Sequence, residues 1–161
     1  MKALVSSSVK EGLEQPVLEL KRMGFEILAT DGTADYLEER GVEVRRLSEI
    51  TGIEEDAWVK TLHPRIYEMI FSGEIDVVVV IPYRFDERPC RENIDIGGIS
   101  LIRAAAKAGI GVAYDLESFK RLIDFLKGKG DAPSADAFYF TSEYDRKIAE
   151  WLEGKERDEA P

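Results

Sequence analysis

Five short stretches of this sequence hold side chains able to act on a substrate. "SSSVKEG" sets three hydroxyls, Ser8 among them, next to Lys10. "TDGT" supplies Thr30, Gly32 and Thr33. "WVKTLHP" supplies Lys60, Thr61 and the only histidine, His63. "IDIGG" puts Asp95 and Ile96 directly before Gly97 and Gly98, and the apolar helical pattern that follows ends on Lys107. "PYRF", after the central strand, supplies Tyr83. Hydroxyls, lysines and glycine N–H groups are what a bound phosphate needs. The double glycine is the telling feature. A helix start needs only a Ser or Asp cap, whereas a close approach of ligand to backbone needs residues without side chains.

Taken singly, each stretch has a plain structural reading. Serines cap helices, and Asp-Gly-Thr is a common turn. Lys107 suits the negative end of a helix dipole. His63, next to Pro64, reads as a residue at a helix start. Cys90, in the charged stretch "DERPCREN", receives no role. Phe138, Tyr139, Phe140 and Tyr144 read as packing for the last helix or a subunit interface. The functional reading gains weight because every stretch follows or flanks an expected strand, which would gather them on one rim.

The elements that must position these residues alternate. "KALVS", "FEILAT", "VEVRRL", "DVVVVIPY" and "IGVAY" read as strands. Between them "LEQPVLELKRMG", "DGTADYLEERG" (a turn, then a short helix) and "ISLIRAAAKAG" read as helices. "LESFKRLIDFLKG" and "ADAFYFTSEYDRKIAEWLEG" follow the last strand. Pro16 fits the first turn of its helix, where a missing N–H costs least. Val77–Ile81 is apolar on both faces, which suits a central parallel strand covered on both sides. The pattern predicts an α/β three-layer sandwich with a mainly parallel sheet, in one domain over 1–154 with a disordered tail over 155–161. In such sheets ligands sit beyond the carboxyl ends of the strands, near the point where the strand order reverses.

Composition narrows the function. With 22 basic and 32 acidic residues, the net charge of −10 repels nucleic acid at long range. It leaves room for a small phosphorylated metabolite, which needs only a few local donors. One Cys and one His cannot build a zinc site, and no apolar run approaches a signal peptide or a membrane span. The expectation is a cytoplasmic protein.

"VKTLHP", "IDIGG" followed by "LIRAAAK", and "AFYFTSEYD" together resemble the inosine monophosphate (IMP) cyclohydrolase family, from Leu4 to about Leu152. In that family the domain usually forms part of a bifunctional enzyme that also carries a formyltransferase. The resemblance implies a methylglyoxal-synthase-like fold. It also implies closure of the second purine ring: 5-formamidoimidazole-4-carboxamide ribonucleotide (FAICAR) becomes IMP with loss of water, without metal or redox cofactor. By position it implies catalytic roles for Lys107, Asp95, Lys60 and Tyr83. Ser8, Lys10, Thr30, Gly32, Thr33, Thr61, Ile96 and Gly97 would bind the nucleotide. A homodimer, and a separate formyltransferase supplying substrate, are further implications.

Three positions depart from the family pattern. Trp58 stands where an Arg is common, Ile81 where an Asn is common, and Asp31 where a Gly is common. Losing the Arg and Asn removes two polar contacts, each worth about 1–3 kcal/mol if buried. Asp31 would repel a phosphate unless turned outward, and Arg84 is a candidate to replace the missing cation. The chain is short between Pro64 and Asp76, which predicts a reduced lid. Two other readings compete. A regulatory nucleotide-binding module of the same fold would not need Asp95, Lys60, Tyr83 and Lys107 together. A methylglyoxal-synthase-like lyase would want an acidic "GDPLG"-type loop, which this sequence lacks.

Overall fold

The computed structural model describes residues 1–53, 61–130 and 134–158, with side chains through 155. Trp58 and Lys60 lie outside the described residues. The strands are β1 (Lys2–Ser7), β2 (Glu26–Ala29), β3 (Arg45–Arg46), β4 (Val77–Ile81) and β5 (Gly111–Ala113). The helices are α1 (Glu14–Arg22), α2 (Asp31–Glu38), α3 (Leu47–Thr51), α4 (Pro64–Phe71), α5 (Gly97–Ala108), α6 (Leu116–Leu126) and α7 (Ser134–Asp158). Among the described residues the strands form one parallel sheet in the order β3-β2-β1-β4-β5.

Strand alternation divides the core in two. Ala3, Val5, Val77, Val79 and Ile81 face Val17 and Leu20 of α1, Leu37 of α2, and Phe119 and Leu122 of α6. Leu4, Val78 and Val80 point the other way, onto Ile66 and Ile70 of α4, Leu101 and Ile102 of α5, and Ala137 of α7. All of β4 is buried, which is why it reads as a continuous apolar run. Each fully buried Val or Leu contributes about 1.5–3 kcal/mol relative to an exposed one. The three-layer sandwich expected from the sequence is therefore present. β1 holds the middle of the sheet and β4 lies beside it.

Four local expectations change. β3 has two residues rather than six, because the Val42 N–H is committed to the Leu37 carbonyl at 3.0 Å and closes the end of α2. Gly41, at φ 74°, makes that reversal without a Cβ penalty. Leu47, read as the end of the strand, instead opens α3 and packs in the core. α2 starts at Asp31 itself, since the Thr30 carbonyl already accepts from the Ala34 N–H at 2.8 Å, so "DGT" is helix rather than turn. α7 runs on to Asp158, past Gly154, where the sequence suggested that order ends.

The connections create the site. From β1 the chain steps outward to β2 and β3, then returns to place β4 on the other side of β1. The order reverses between β1 and β4. Ser7 pairs with Ile81 there, so the loops after both strands open side by side.

Candidate functional site

The ends of β1, β2 and β4 open into one cleft of about 1030 Å³. On the β1–β2 side the polar groups converge on Thr33. Its hydroxyl oxygen accepts from the Ser7 backbone N–H at 3.0 Å and the Lys10 ammonium at 3.0 Å, and it shares a hydrogen bond with the Thr30 hydroxyl at 3.0 Å. The Lys10 ammonium also donates to the Ser7 carbonyl at 2.6 Å. Ser8 ties this loop to the end of β4, its hydroxyl donating to the Pro82 carbonyl at 2.7 Å. Gly32, in the first turn of α2, lines the same wall. A lysine beside a helix N-terminus and a row of hydroxyls favours an anion such as phosphate.

Asp31 does not disturb this arrangement. It accepts from the Ser48 hydroxyl at 2.8 Å and lies 3.8 Å from Arg46, outside the cleft lining.

The opposite wall is the start of α5. Asp95 Oδ1 accepts from the Gly98 N–H at 2.6 Å, so the carboxylate caps the helix. A Cβ on Gly98 would lie 2.7 and 2.8 Å from the two carboxylate oxygens and 2.9 Å from Val80. A Cβ on Gly97 would lie 2.6 Å from the Thr61 hydroxyl. The two glycines are thus demanded by the protein's own packing: one seats the acid and the other admits Thr61, which is 4% exposed. The backbone around Asp95 is held from a distance, because its N–H donates to the Tyr144 hydroxyl at 2.9 Å. That hydroxyl donates to the Asn93 carbonyl at 3.2 Å. Burial raises the Tyr144 phenol above its ordinary pKa, so it stays protonated and can donate. Tyr144 therefore braces the candidate site. Phe140 stacks on Tyr114 at 4.6 Å, while Phe138 and Tyr139 are exposed.

Most of the expected site residues meet. Ser8, Lys10, Thr30, Gly32, Thr33, Thr61, Tyr83, Asp95, Ile96 and Gly97 all line the cleft. Lys60 is outside the described residues. Lys107 stands apart from them: it sits in the last turn of α5, about 15 Å of helix rise beyond Gly97. Its ammonium lies 5.5 Å from the Phe71 ring centroid, and it does not line the cleft of its own chain. Arg84 pairs with Glu87 at 2.6 Å and also stays outside the lining. His63 behaves as read: its Nδ1 accepts from the Arg65 N–H at 3.1 Å and caps α4. Sequence reasoning missed Arg91, Glu92 and Asn93 in the lining. Their position just before Asp95 was the available signal.

A family model described as an MGS-like domain matches residues 12–114. The chain belongs to the MGS-like domain family. Within it, the chain is 36% identical to the bifunctional purine biosynthesis protein PurH of Desulfitobacterium hafniense, over 94% of this chain and 36% of that protein. The PurH of Aquifex aeolicus is 37% identical, over 93% of this chain and 36% of that one. The likeness read from "VKTLHP" and "IDIGG" thus extends along nearly the whole chain, although the chain spans about a third of the length of these relatives. The alignment with the first occupies 186 positions against the 161 residues here, so that relative has segments without a counterpart in this chain. Among solved structures, the crystal structure of ForH superposes with a TM-score of 0.76 and 25% identity, over 94% of this chain and 96% of that one.

Proposed function

We propose that this chain is an IMP cyclohydrolase of purine biosynthesis that converts FAICAR to IMP. The observation that carries the reading is the convergence of ten residues implied by the family resemblance on one cleft, with Lys10, Thr30 and Thr33 on one wall and Asp95 on the other. The PurH relatives support the same pathway. In the reaction the carboxamide nitrogen bonds to the formyl carbon, the formyl C–O bond breaks, and two N–H protons leave with that oxygen as water. Holding the formyl group in the attacking rotamer supplies much of the rate, because the reaction is intramolecular.

In this reading Lys10, Thr33 and the start of α2 bind the phosphate. Asp95, whose Oδ1 also accepts from the Gly98 N–H, takes the amide proton. Tyr83 donates to the oxygen as charge develops there. Lys60, the neighbour of Thr61, supplies the second cation. Lys107 is given no contact with ligand within its own chain. A formyltransferase supplies the substrate, and the protein works as a cytoplasmic homodimer. Among the described residues no helix is long and apolar enough to cross a membrane.

One observation favours a second reading. Asp95 is already engaged as a helix cap and Lys107 is remote from the cleft, so the same cleft could bind a nucleotide without turnover, as a regulatory module. A spectrophotometric ring-closure assay with FAICAR, run beside calorimetric titration with IMP, separates the two. Turnover supports the enzyme, IMP binding without turnover supports the module, and neither would reject both.

A further inference from the structure

The cleft contains a cation that neither the motifs nor the fold called for. Every other arginine whose side chain is described, except Arg88, lies within ion-pair distance of a carboxylate. In a chain with ten more negative than positive charges, that is the expected condition. Arg91 breaks the pattern. Among the described residues its side chain makes no ion pair, hydrogen bond or ring contact. Arg88 is equally unpaired but lies outside the cleft lining, whereas Arg91 lies within it.

The backbone that carries Arg91 is held in place. The Arg91 carbonyl accepts from the Ile94 N–H at 3.2 Å, and the Cys90 carbonyl accepts from the Asn93 N–H at 3.1 Å. The Asn93 side chain donates to the Arg88 carbonyl at 2.8 Å, and Tyr144 fixes the Asn93–Asp95 stretch. This turn leads into α5, which packs against β4. It therefore lies across the strand-order reversal from Lys10 and Thr33, which follow β1 and β2.

We infer that Arg91 is a ligand-binding and specificity-determining residue: its guanidinium binds a planar, oxygen-bearing group of the ligand at the end opposite the phosphate. A guanidinium fork matches carbonyl and carboxamide oxygens, and its rigid plane gives up little freedom when it binds them. The ordinary reading of an exposed arginine is a solvated surface charge. That reading leaves unexplained why the arginine held on a braced turn inside the cleft is left without a carboxylate while its counterparts have one. The inference rests on the nucleotide reading of the cleft and adds the recognition of the base end.

The test uses the full chain and two probes, IMP and ribose 5-phosphate, titrated calorimetrically into wild type, Arg91→Met, Arg91→Lys and Arg88→Met. Arg91→Met is expected to raise the Kd for IMP about tenfold or more, as for loss of a charged hydrogen bond, and to leave that for ribose 5-phosphate within about twofold. Arg91→Lys should recover only part of the loss, because it restores charge without the fork. Arg88→Met should match wild type. An unchanged Kd for IMP in Arg91→Met overturns the inference, and so does an equal loss for both probes, which would mark a general field effect. If wild type binds no IMP, the nucleotide reading falls and takes this inference with it. If wild type binds IMP and Arg91→Met binds it equally well, Arg91 alone is misassigned.

Discussion

The Tyr144 hydroxyl accepts from the Asp95 N–H at 2.9 Å and donates to the Asn93 carbonyl at 3.2 Å, so a residue of the last helix fixes the loop that presents the acid. Tyr144→Phe keeps the ring packing against Phe85 and Phe140 and removes only the bridge. A stability loss of about 1 kcal/mol is expected from leaving a half-buried backbone pair without its bridge. If Asp95 is the proton acceptor, turnover should fall more than affinity for IMP. Chemical denaturation and steady-state kinetics on the same variant check both, and a variant with wild-type stability would show that the bridge is not formed.

Alkaline pH tests the same packing. Burial is the main cause that raises the Tyr67, Tyr114 and Tyr144 phenols above their ordinary pKa. The native state therefore holds these protons after the unfolded chain has begun to release them. Their contribution to stability is complete below about pH 10, the ordinary phenol value, and declines as pH rises through the raised native values. Thermal midpoints recorded from pH 8 to 11 should be level in this respect up to that point and then fall. Tyr144→Phe should flatten part of the fall.

Gly97 and Thr61 form a pair suited to a mutant cycle. Gly97→Ala places a methyl group 2.6 Å from the Thr61 hydroxyl and should cost about 1–3 kcal/mol. Thr61→Ala removes that oxygen. The double variant should then be more stable than the sum of the two single losses, and additive losses would contradict the contact. Gly98→Ala has no comparable rescue, since it meets Asp95 and Val80 together.

Lys10 and Asp95 should separate in kinetics. Lys10→Met is expected to weaken IMP binding about tenfold or more with turnover at saturation little changed, because a bound phosphate is the same in ground and transition states. Asp95→Asn keeps a capping oxygen for Gly98 and loses the base, so turnover should fall roughly 10²-fold or more with a smaller change in affinity. Wild-type turnover in Asp95→Asn would leave the regulatory-module reading standing.

Lys107→Met should leave both quantities nearly unchanged within a subunit, given its place at the far end of α5. A loss as large as that of Asp95→Asn would mean that a second copy of the chain brings its Lys107 to the cleft. Measuring turnover across a dilution series, with mass from sedimentation, distinguishes these outcomes.

Much of this protein was decided locally and could be read from the chain. The apolar run Val77–Ile81 had to be covered on two faces, and the alternation of strand and helix leaves few other ways to do that. The hydroxyls, Lys10 and Gly32 follow strand ends, so a parallel sheet brings them to one rim without further information. Pro64 and His63 announced the start of α4, because a cap and a proline at the first helical position act within a single turn.

Long-range packing settled the remainder. Asp95 and Tyr144 are forty-nine residues apart, and no local pattern announces that one holds the other. The Gly-Gly pair looked like an opening for a ligand, yet its nearest neighbours are Thr61, Asp95 and Val80, which only the assembled sheet and helix bring there. Lys107 shares the helix that Asp95 caps, but it lies ten residues beyond Gly97, away from the cleft. Asp31 and Arg84 turn outward because Ser48, Arg46 and Glu87 offer partners there. The types of residue at the site follow from the sequence. Which of them face one another depends on interactions between segments that meet only when the sheet forms.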